Sequence, residues 1–427
     1  MGRRIDWPCL KIGKCCEALE NGLRRRFFAN SKAMTWMSRF VWCLTLPTMI
    51  FSTLGSPYQT VRGSGPPRVV EDVAVYAANG RFGGWPANHG MWGWGNELVV
   101  GFSAGFYKDL GPGIHAIDRH KPEYHLLARS LDGGHSWTIE DPSRQGELIG
   151  TRGMRHGTVP PEAVEKEPGD CPGGIDFTQP DFAMTLRMSD VDGGVSRFYM
   201  SSDRARTWKG PFKLPLCGQR GIAARTDYVV NGKHDCMVFV TASKQNGREG
   251  RPVCLRTVDG GKSWRFVSAI GPEPTGYAIM PSTVRLSQAE ILTTIRCRQE
   301  AQQISSAAAW IDAYVSHDNG ETWRYLNRPA PNLGEGNPPA LLKLRDSRLC
   351  LVYGVRDPPF RIEARMSRDQ GNSWSEPFVL RADGASRDLG YPRAVERLDG
   401  KVVAVYYFHD KRRVERTIQA TIWDPGR

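Results

Sequence analysis

One eight-residue pattern, S/T-x-D-x-x-x-S/T-W, occurs five times and constrains this chain more than any other feature. It reads SLDGGHSW at Ser130 to Trp137, SSDRARTW at Ser201 to Trp208, TVDGGKSW at Thr257 to Trp264, SHDNGETW at Ser316 to Trp323 and SRDQGNSW at Ser367 to Trp374. The tryptophans stand 71, 56, 59 and 51 residues apart. Such a segment predicts a hairpin turn. The Asp carboxylate accepts hydrogen bonds from backbone N–H groups of the turn. Gly at the fifth position supplies a positive φ, and the Trp ring packs onto the core of its sheet. The second copy, with Ala205 in the glycine place, is degenerate.

A fainter repeat runs in step with the first. GGWPANHGMWGWGNELVVGF, QPDFAMTLRM, AARTDYVVNGKHDCMVFV, IMPSTVRLSQAEILTTIR, GNPPALLKLRDSRLCLVYGVR and GYPRAVERLDGKVVAVYYF mostly read as two short strands joined by a turn such as Asp399-Gly400. Six strand pairs and five turns imply repeats of roughly 60 residues, slightly longer than common propeller repeats. Thirteen Trp, 46 Gly and 29 Pro suit many short strands and tight turns. No segment reads as a long amphipathic helix. The predicted fold is all-β: a six-bladed β-propeller with these Asp-centred turns, over residues 61–427, closed so that sheet edges vanish and a central channel remains.

Residues 1–60 read as a leader. Arg24, Arg25, Arg26, Lys32 and Arg39 precede an apolar run from Phe40 to Phe51, too short to span a bilayer comfortably, with small residues Ser52, Gly55 and Ser56 after it. The expectation is a secreted or otherwise extracytoplasmic protein, with Met34 or Met37 as alternative starts and membrane contact only through an uncleaved leader. The leader carries nine Lys or Arg against three Asp or Glu, so half of the net charge of +12 lies there. What remains shows no basic stripe interleaved with aromatics, so nucleic acid is not expected as a partner. The residual positive charge suits an anionic small substrate as well as it suits a plain solvated surface. Cys171, Cys217, Cys236, Cys254, Cys297 and Cys350 have no metal-ligand spacing, so neither a metal nor another cofactor is expected. Disulfides and buried free thiols are both open.

The five turns resemble the Asp boxes of the sialidase-like superfamily, also called BNR repeat proteins, from about Val70 to the end. The boxes themselves are structural. The resemblance implies an arginine trio for a substrate carboxylate, a Tyr nucleophile activated by a Glu, and an Asp acid/base. Arg361, six residues before the Ser of a box, takes the third arginine's place, and Arg296, ending the strand EILTTIR, the second's. Guanidinium forks bind carboxylates through paired hydrogen bonds. Tyr391, in GYPRAVERLDGKVVAVYY, takes the nucleophile's place. A phenol avoids the repulsion a carboxylate would feel at an anionic anomeric centre. Asp118, twelve residues before Ser130, takes the acid/base place, with His120 and Glu123 on the same loop.

Two positions depart from the family pattern. The activating Glu falls on Met280, which cannot take a proton; Glu335 and Asp227, each near the start of an inner strand, are candidates to stand in. The first arginine's R-I-P context is GGWPANHG here, with Gly84 at its place, leaving Arg81 and Arg225 as candidates. Trp85, Asn88, His89, Trp92 and Trp94 cluster nearby, either as a sugar-stacking surface or as the seal of the blade. The leading expectation is therefore a monomeric exported glycoside hydrolase acting on a terminal anionic glycan. A non-catalytic carbohydrate-binding propeller and a polysaccharide lyase remain open beside it.

Overall fold

The computed structural model describes residues 65–426 apart from Pro112 and residues 300–307. The leader expectation and its four cysteines lie outside the described residues. Six antiparallel sheets follow one another as blades of a six-bladed β-propeller. The first blade runs from an inner strand broken in two, Arg81–Gly84 and Met91–Trp94, through Glu97–Phe106 and Tyr124–Ser130 to Thr138–Glu140. The second has three strands, Ala183–Met188, Ser196–Ser201 and Lys209–Leu214. The third again splits its inner strand, Ile222–Ala223 and Tyr228–Gly232, before Asp235–Ser243, Glu249–Thr257 and Arg265–Ala269. The fourth comprises Tyr277–Arg285, Ile291–Arg298, Ala309–Ser316 and Arg324–Ala330, and the fifth Ala340–Lys343, Leu349–Val355, Arg361–Ser367 and Phe378–Arg381. All six predicted segments open a blade, five of them as paired strands and QPDFAMTLRM as the single strand Ala183–Met188.

The ring closes through the termini of the described chain. Gly390–Glu396, Val402–Phe408 and Thr417–Asp424 form the sixth blade, and its outer strand is Arg68–Tyr76. This explains why six blades carry five boxes. Each box joins the outer strand of its blade to the strand beside it, and in the sixth blade those two strands are not consecutive in sequence. Apolar clusters fill every gap between neighbouring blades, the closing gap included, where Leu98 and Phe102 of the first blade meet Val75, Val405, Tyr407 and Ile418 of the sixth. Among the described residues no helix is long and apolar enough to cross a membrane. All six cysteines of the propeller are free thiols, five of them buried.

The boxes have the expected chemistry with one addition. In the fifth, Ser367 Oγ donates to Asp369 Oδ1 at 2.8 Å and accepts from Gly371 N at 2.8 Å, while Ser373 N and Oγ donate to the same carboxylate at 2.9 and 2.6 Å. Both the fourth and fifth positions are left-handed, and the degenerate box keeps this with Arg204 at φ 60° and Ala205 at φ 63°. There Arg204 also pairs with Asp181 at 2.7 Å and with Glu97 at 3.0 Å. Three box tryptophans also reach the preceding blade: Trp208 meets Trp92, Trp264 meets Phe198 and Trp323 meets Phe239. The turn projects the ring beyond its own sheet, so the boxes also glue blades together.

Burial works against the charge of Asp132, Asp203, Asp259 and Asp369, yet the hydroxyl and amide donors outweigh it; at Asp318 the Thr322 hydroxyl is the main cause. All five carboxyls are therefore held below their ordinary value of 3.8, Asp132 at about 2. A depressed folded-state pKa contributes stability above the unfolded value and loses it as pH falls through the folded one. The melting temperature is expected to drop steeply from about pH 4 toward pH 2, and less steeply in Asp132→Asn. A melting temperature flat across that window would show that the boxes do not supply this stability.

Candidate active site

Three inner strands break at the same kind of step. Trp85, Met280 and Tyr391 each precede a proline and each adopts a left-handed backbone, φ 57°, 54° and 51°. Residues with side chains seldom take this conformation, and a following proline does not favour it. It persists because the surroundings hold it. Tyr391 N donates to Asn337 Oδ1 at 2.7 Å, and Asn337 Nδ2 donates to Leu389 O at 3.0 Å. Gly390 lies so close that a Cβ there would collide with the Asn337 side chain. The pairing register slips between Gly390 and Arg393, and between Ile279 and Ser282. These slips bring Tyr391 and Tyr277 into contact with a cluster of Ala87, Ile279 and Met280. The first, fourth and sixth blades thus meet across the ring.

Tyr391 lies among guanidinium groups. Arg296 Nη1 donates to its hydroxyl at 3.1 Å, with the Arg296 side chain also 5.4 Å over the Tyr277 ring. Arg356 lies 5.4 Å over the Tyr391 ring, fixed by Leu389 O at 3.1 and 3.0 Å and by Tyr407 Oη at 2.7 Å. Arg225, paired with Glu249, adds its charge from the third blade. Burial raises the phenol's pKa, but Arg296, Arg356 and Arg225 outweigh it and hold it below the ordinary 10.0. Among the described residues no carboxylate hydrogen-bonds the Tyr391 hydroxyl, and Met280 packs in the cluster beside it.

A second buried group adjoins this one. Asp388, 2% exposed, accepts from His115 Nδ1 at 2.6 Å, Tyr407 Oη at 2.9 Å, Arg416 Nε at 2.9 Å and Ala116 N at 3.3 Å. Burial opposes its charge, but His115, Arg416 and Arg356 hold it well below the usual carboxylate range. Trp85 packs on His115 and His156 at ring distances of 5.1 and 4.4 Å. Burial, with His115 and Arg119 adding to it, lowers His156 to about 4. A cavity of about 380 Å³ opens beside these groups, lined by Ile114, Glu335, Arg356, Arg387, Asp388 and Arg416 among others. It is predominantly cationic, with one exposed carboxylate, Glu335, paired to Arg387.

Sequence and fold comparisons agree with this architecture. A profile of the BNR repeat-like domain matches residues 182–404. The chain belongs to that family. No curated protein matches it in sequence. A protein of unknown function from Dyadobacter fermentans has a similar structure, with a TM-score of 0.61 and 20% identity over 84% of this chain and 98% of that one. An α-L-arabinofuranosidase of Fusarium graminearum has a TM-score of 0.52 and 12% identity over 83% and 97%. A Trypanosoma rangeli sialidase has a TM-score of 0.52 and 12% identity over 82% of this chain and 58% of that one. At these identities the likeness is one of fold: the sialidase-like propeller that glycoside hydrolases also use.

Within this BNR-type ring the expected site residues are dispersed unevenly. Tyr391, Arg296 and Arg225 come together, and Glu335 lines the cavity, its backbone oxygen accepting from Arg296 at 3.3 Å. Arg361 points instead to Glu363 and Pro359 O, and Arg356 occupies the place against Tyr391. The signal for Arg356 was present: CLVYGVR ends the second strand of its blade as EILTTIR ends that of the fourth. Arg81 stacks 4.0 Å over Phe106 and lines a separate cleft with Tyr124 and Glu162. Asp118 caps a turn, accepting from His120 N at 3.0 Å; that amide bond, against a smaller effect of burial, and then Lys108 hold its carboxyl low. Asp227 is buried, receives Thr283 Oγ1 at 2.8 Å and is pushed up to about 7 by burial, away from the cavity lining. Trp85 is 2% exposed, a seal of the blade rather than an open stacking surface. His89 is buried between Ser103 and Arg187, and Glu123 is buried under backbone N–H groups of His156 and Gly157. His115, His156 and Asp388 had no local sequence signal.

Proposed function

We propose that this protein is an exported, monomeric glycoside hydrolase that removes a terminal anionic sugar, with Tyr391 as nucleophile. The observation that carries this reading is the Tyr391 phenol set among Arg296, Arg356 and Arg225. The same guanidinium groups would hold a sugar carboxylate through paired hydrogen bonds. They also favour the phenolate, so the nucleophile depends less on an adjacent base, which Met280 cannot be. The similar structures of an arabinofuranosidase and a sialidase support a glycosidic substrate at the level of the fold.

The test is a panel of fluorogenic glycosides of N-acetylneuraminic acid, a uronic acid and arabinofuranose. Release from an anionic member is expected. Cleavage of the neutral arabinofuranoside alone would overturn the anionic assignment. Met280, standing where a base would activate Tyr391, favours one second reading, a glycan-binding propeller without turnover. Binding across the panel with no product would establish it. An unsaturated, ultraviolet-absorbing product from a uronic-acid polymer would mark a lyase.

A further inference from the structure

Cleavage of a glycosidic bond needs a group that gives a proton to the departing oxygen and later takes one from water. Asp118 is a weak candidate, its carboxyl committed to the turn it caps. We infer that His115, oriented by Asp388, performs this proton transfer; the inference rests on Tyr391 being the nucleophile.

The hydrogen-bond pattern determines the tautomer. An ionised carboxylate only accepts. Asp388 therefore takes a proton bond from His115 Nδ1, as it does from Tyr407, Arg416 and Ala116. Nδ1 carries the hydrogen, and Nε2 is left as the working atom. Among the described residues no protein group hydrogen-bonds Nε2. The buried carboxylate aims the ring, the part an aspartate plays behind a catalytic histidine elsewhere. Asp388 is thus a positioning residue.

His115 is also well located. It follows Gly113 and Ile114, which line the cavity, on the loop between the second and third strands of the first blade, with 24% of its side chain exposed. Its ring lies 6.4 Å from that of Tyr407, and Tyr391 lies 6.0 Å from the same ring. The charged and titratable groups around it are Asp388, Arg416, Arg356, Tyr407, His156 and, beside His156, Arg119. In the first step the Tyr391 oxygen bonds to the anomeric carbon. The glycosidic C–O pair leaves with the departing oxygen, which takes the proton from His115 Nε2. In the second, Nε2 removes a proton from water as the water oxygen bonds to the anomeric carbon and the Tyr391 oxygen leaves with its electron pair.

Leaving-group dependence tests this on the full chain. For His115→Gln, the methyl glycoside of N-acetylneuraminic acid, whose leaving group needs protonation, is expected to lose about 10²–10⁴-fold in kcat/KM. The 4-nitrophenyl glycoside, which departs without help, is expected to lose less than about tenfold. The alkaline limb of the methyl glycoside's pH profile should disappear. Asp388→Asn should show the same leaving-group split more weakly and displace that limb, which keeps the test open if His115→Gln does not fold. Equal losses on both substrates, with an unchanged pH profile, overturn the role of His115 while leaving Tyr391 untouched. Absence of turnover of both substrates by the wild type overturns the parent reading and this one with it.

Discussion

Replacing Tyr391 with Phe is expected to lower kcat by about 10³-fold or more while leaving the protein folded. The ring keeps its contacts with Ala87, Ile279 and Met280, and the backbone bond to Asn337 does not involve the hydroxyl. The change removes one acceptor from Arg296, a cost on the order of 1–3 kcal/mol. KM should move little, because Arg296, Arg356 and Arg225 remain to hold the substrate. The pH profile adds a second check. The phenol is held below its ordinary 10.0, so the wild-type rate should rise with pH as the phenolate forms, and this limb should be missing in Tyr391→Phe. The sign for stability is different: a depressed folded-state pKa adds stability only at alkaline pH, so melting near neutrality stays unaffected by this ionisation. Turnover at the wild-type rate in Tyr391→Phe would remove the phenol from the chemistry.

Removing the closing strand is expected to abolish the cooperative unfolding transition. A chain beginning at Ala77 loses Arg68–Tyr76, which pairs with the last strand from Arg68↔Asp424 to Tyr76↔Ile418. It also loses Val75 with its partly buried neighbours Val73 and Tyr76 from the core between the sixth and first blades, and the 2.6 Å bond from Thr421 Oγ1 to Asp72. Each large apolar side chain contributes about 1.5–3 kcal/mol when fully buried. Set against a total stability of about 5–15 kcal/mol, the loss is decisive. The uncovered Thr417–Asp424 edge then invites pairing between chains. Thermal scans and light scattering, compared with a chain beginning at Gly65, would show this. Matching melts from the two chains would mean that the ring is held without its closure.

The blade count and the strands that carry Tyr391 and Arg296 were legible because each depends on a few adjacent residues. A box organises itself through a Ser or Thr, an Asp and amides no more than four residues away. Strand alternation and an Asp-Gly turn are equally local. The same held for the strand end that carries Arg296, and it would have held for Arg356. Arg361, five residues on, has the right spacing to its box but turns to Glu363 within its own strand. Spacing counts residues, whereas the slipped registers after Gly390 and Ile279 decide where side chains point.

By itself the sequence determined the repeating unit, the number of blades and the turn chemistry. Tertiary structure alone decided that His115 and Asp388, 273 residues apart, share a hydrogen bond. It also decided that three arginines from three blades surround one phenol, and that Asp118 and Arg81 lie elsewhere. The reason is range: turns and strands are set by contacts a few residues apart, while the electric field and the cavity at the axis exist only after the ring has closed.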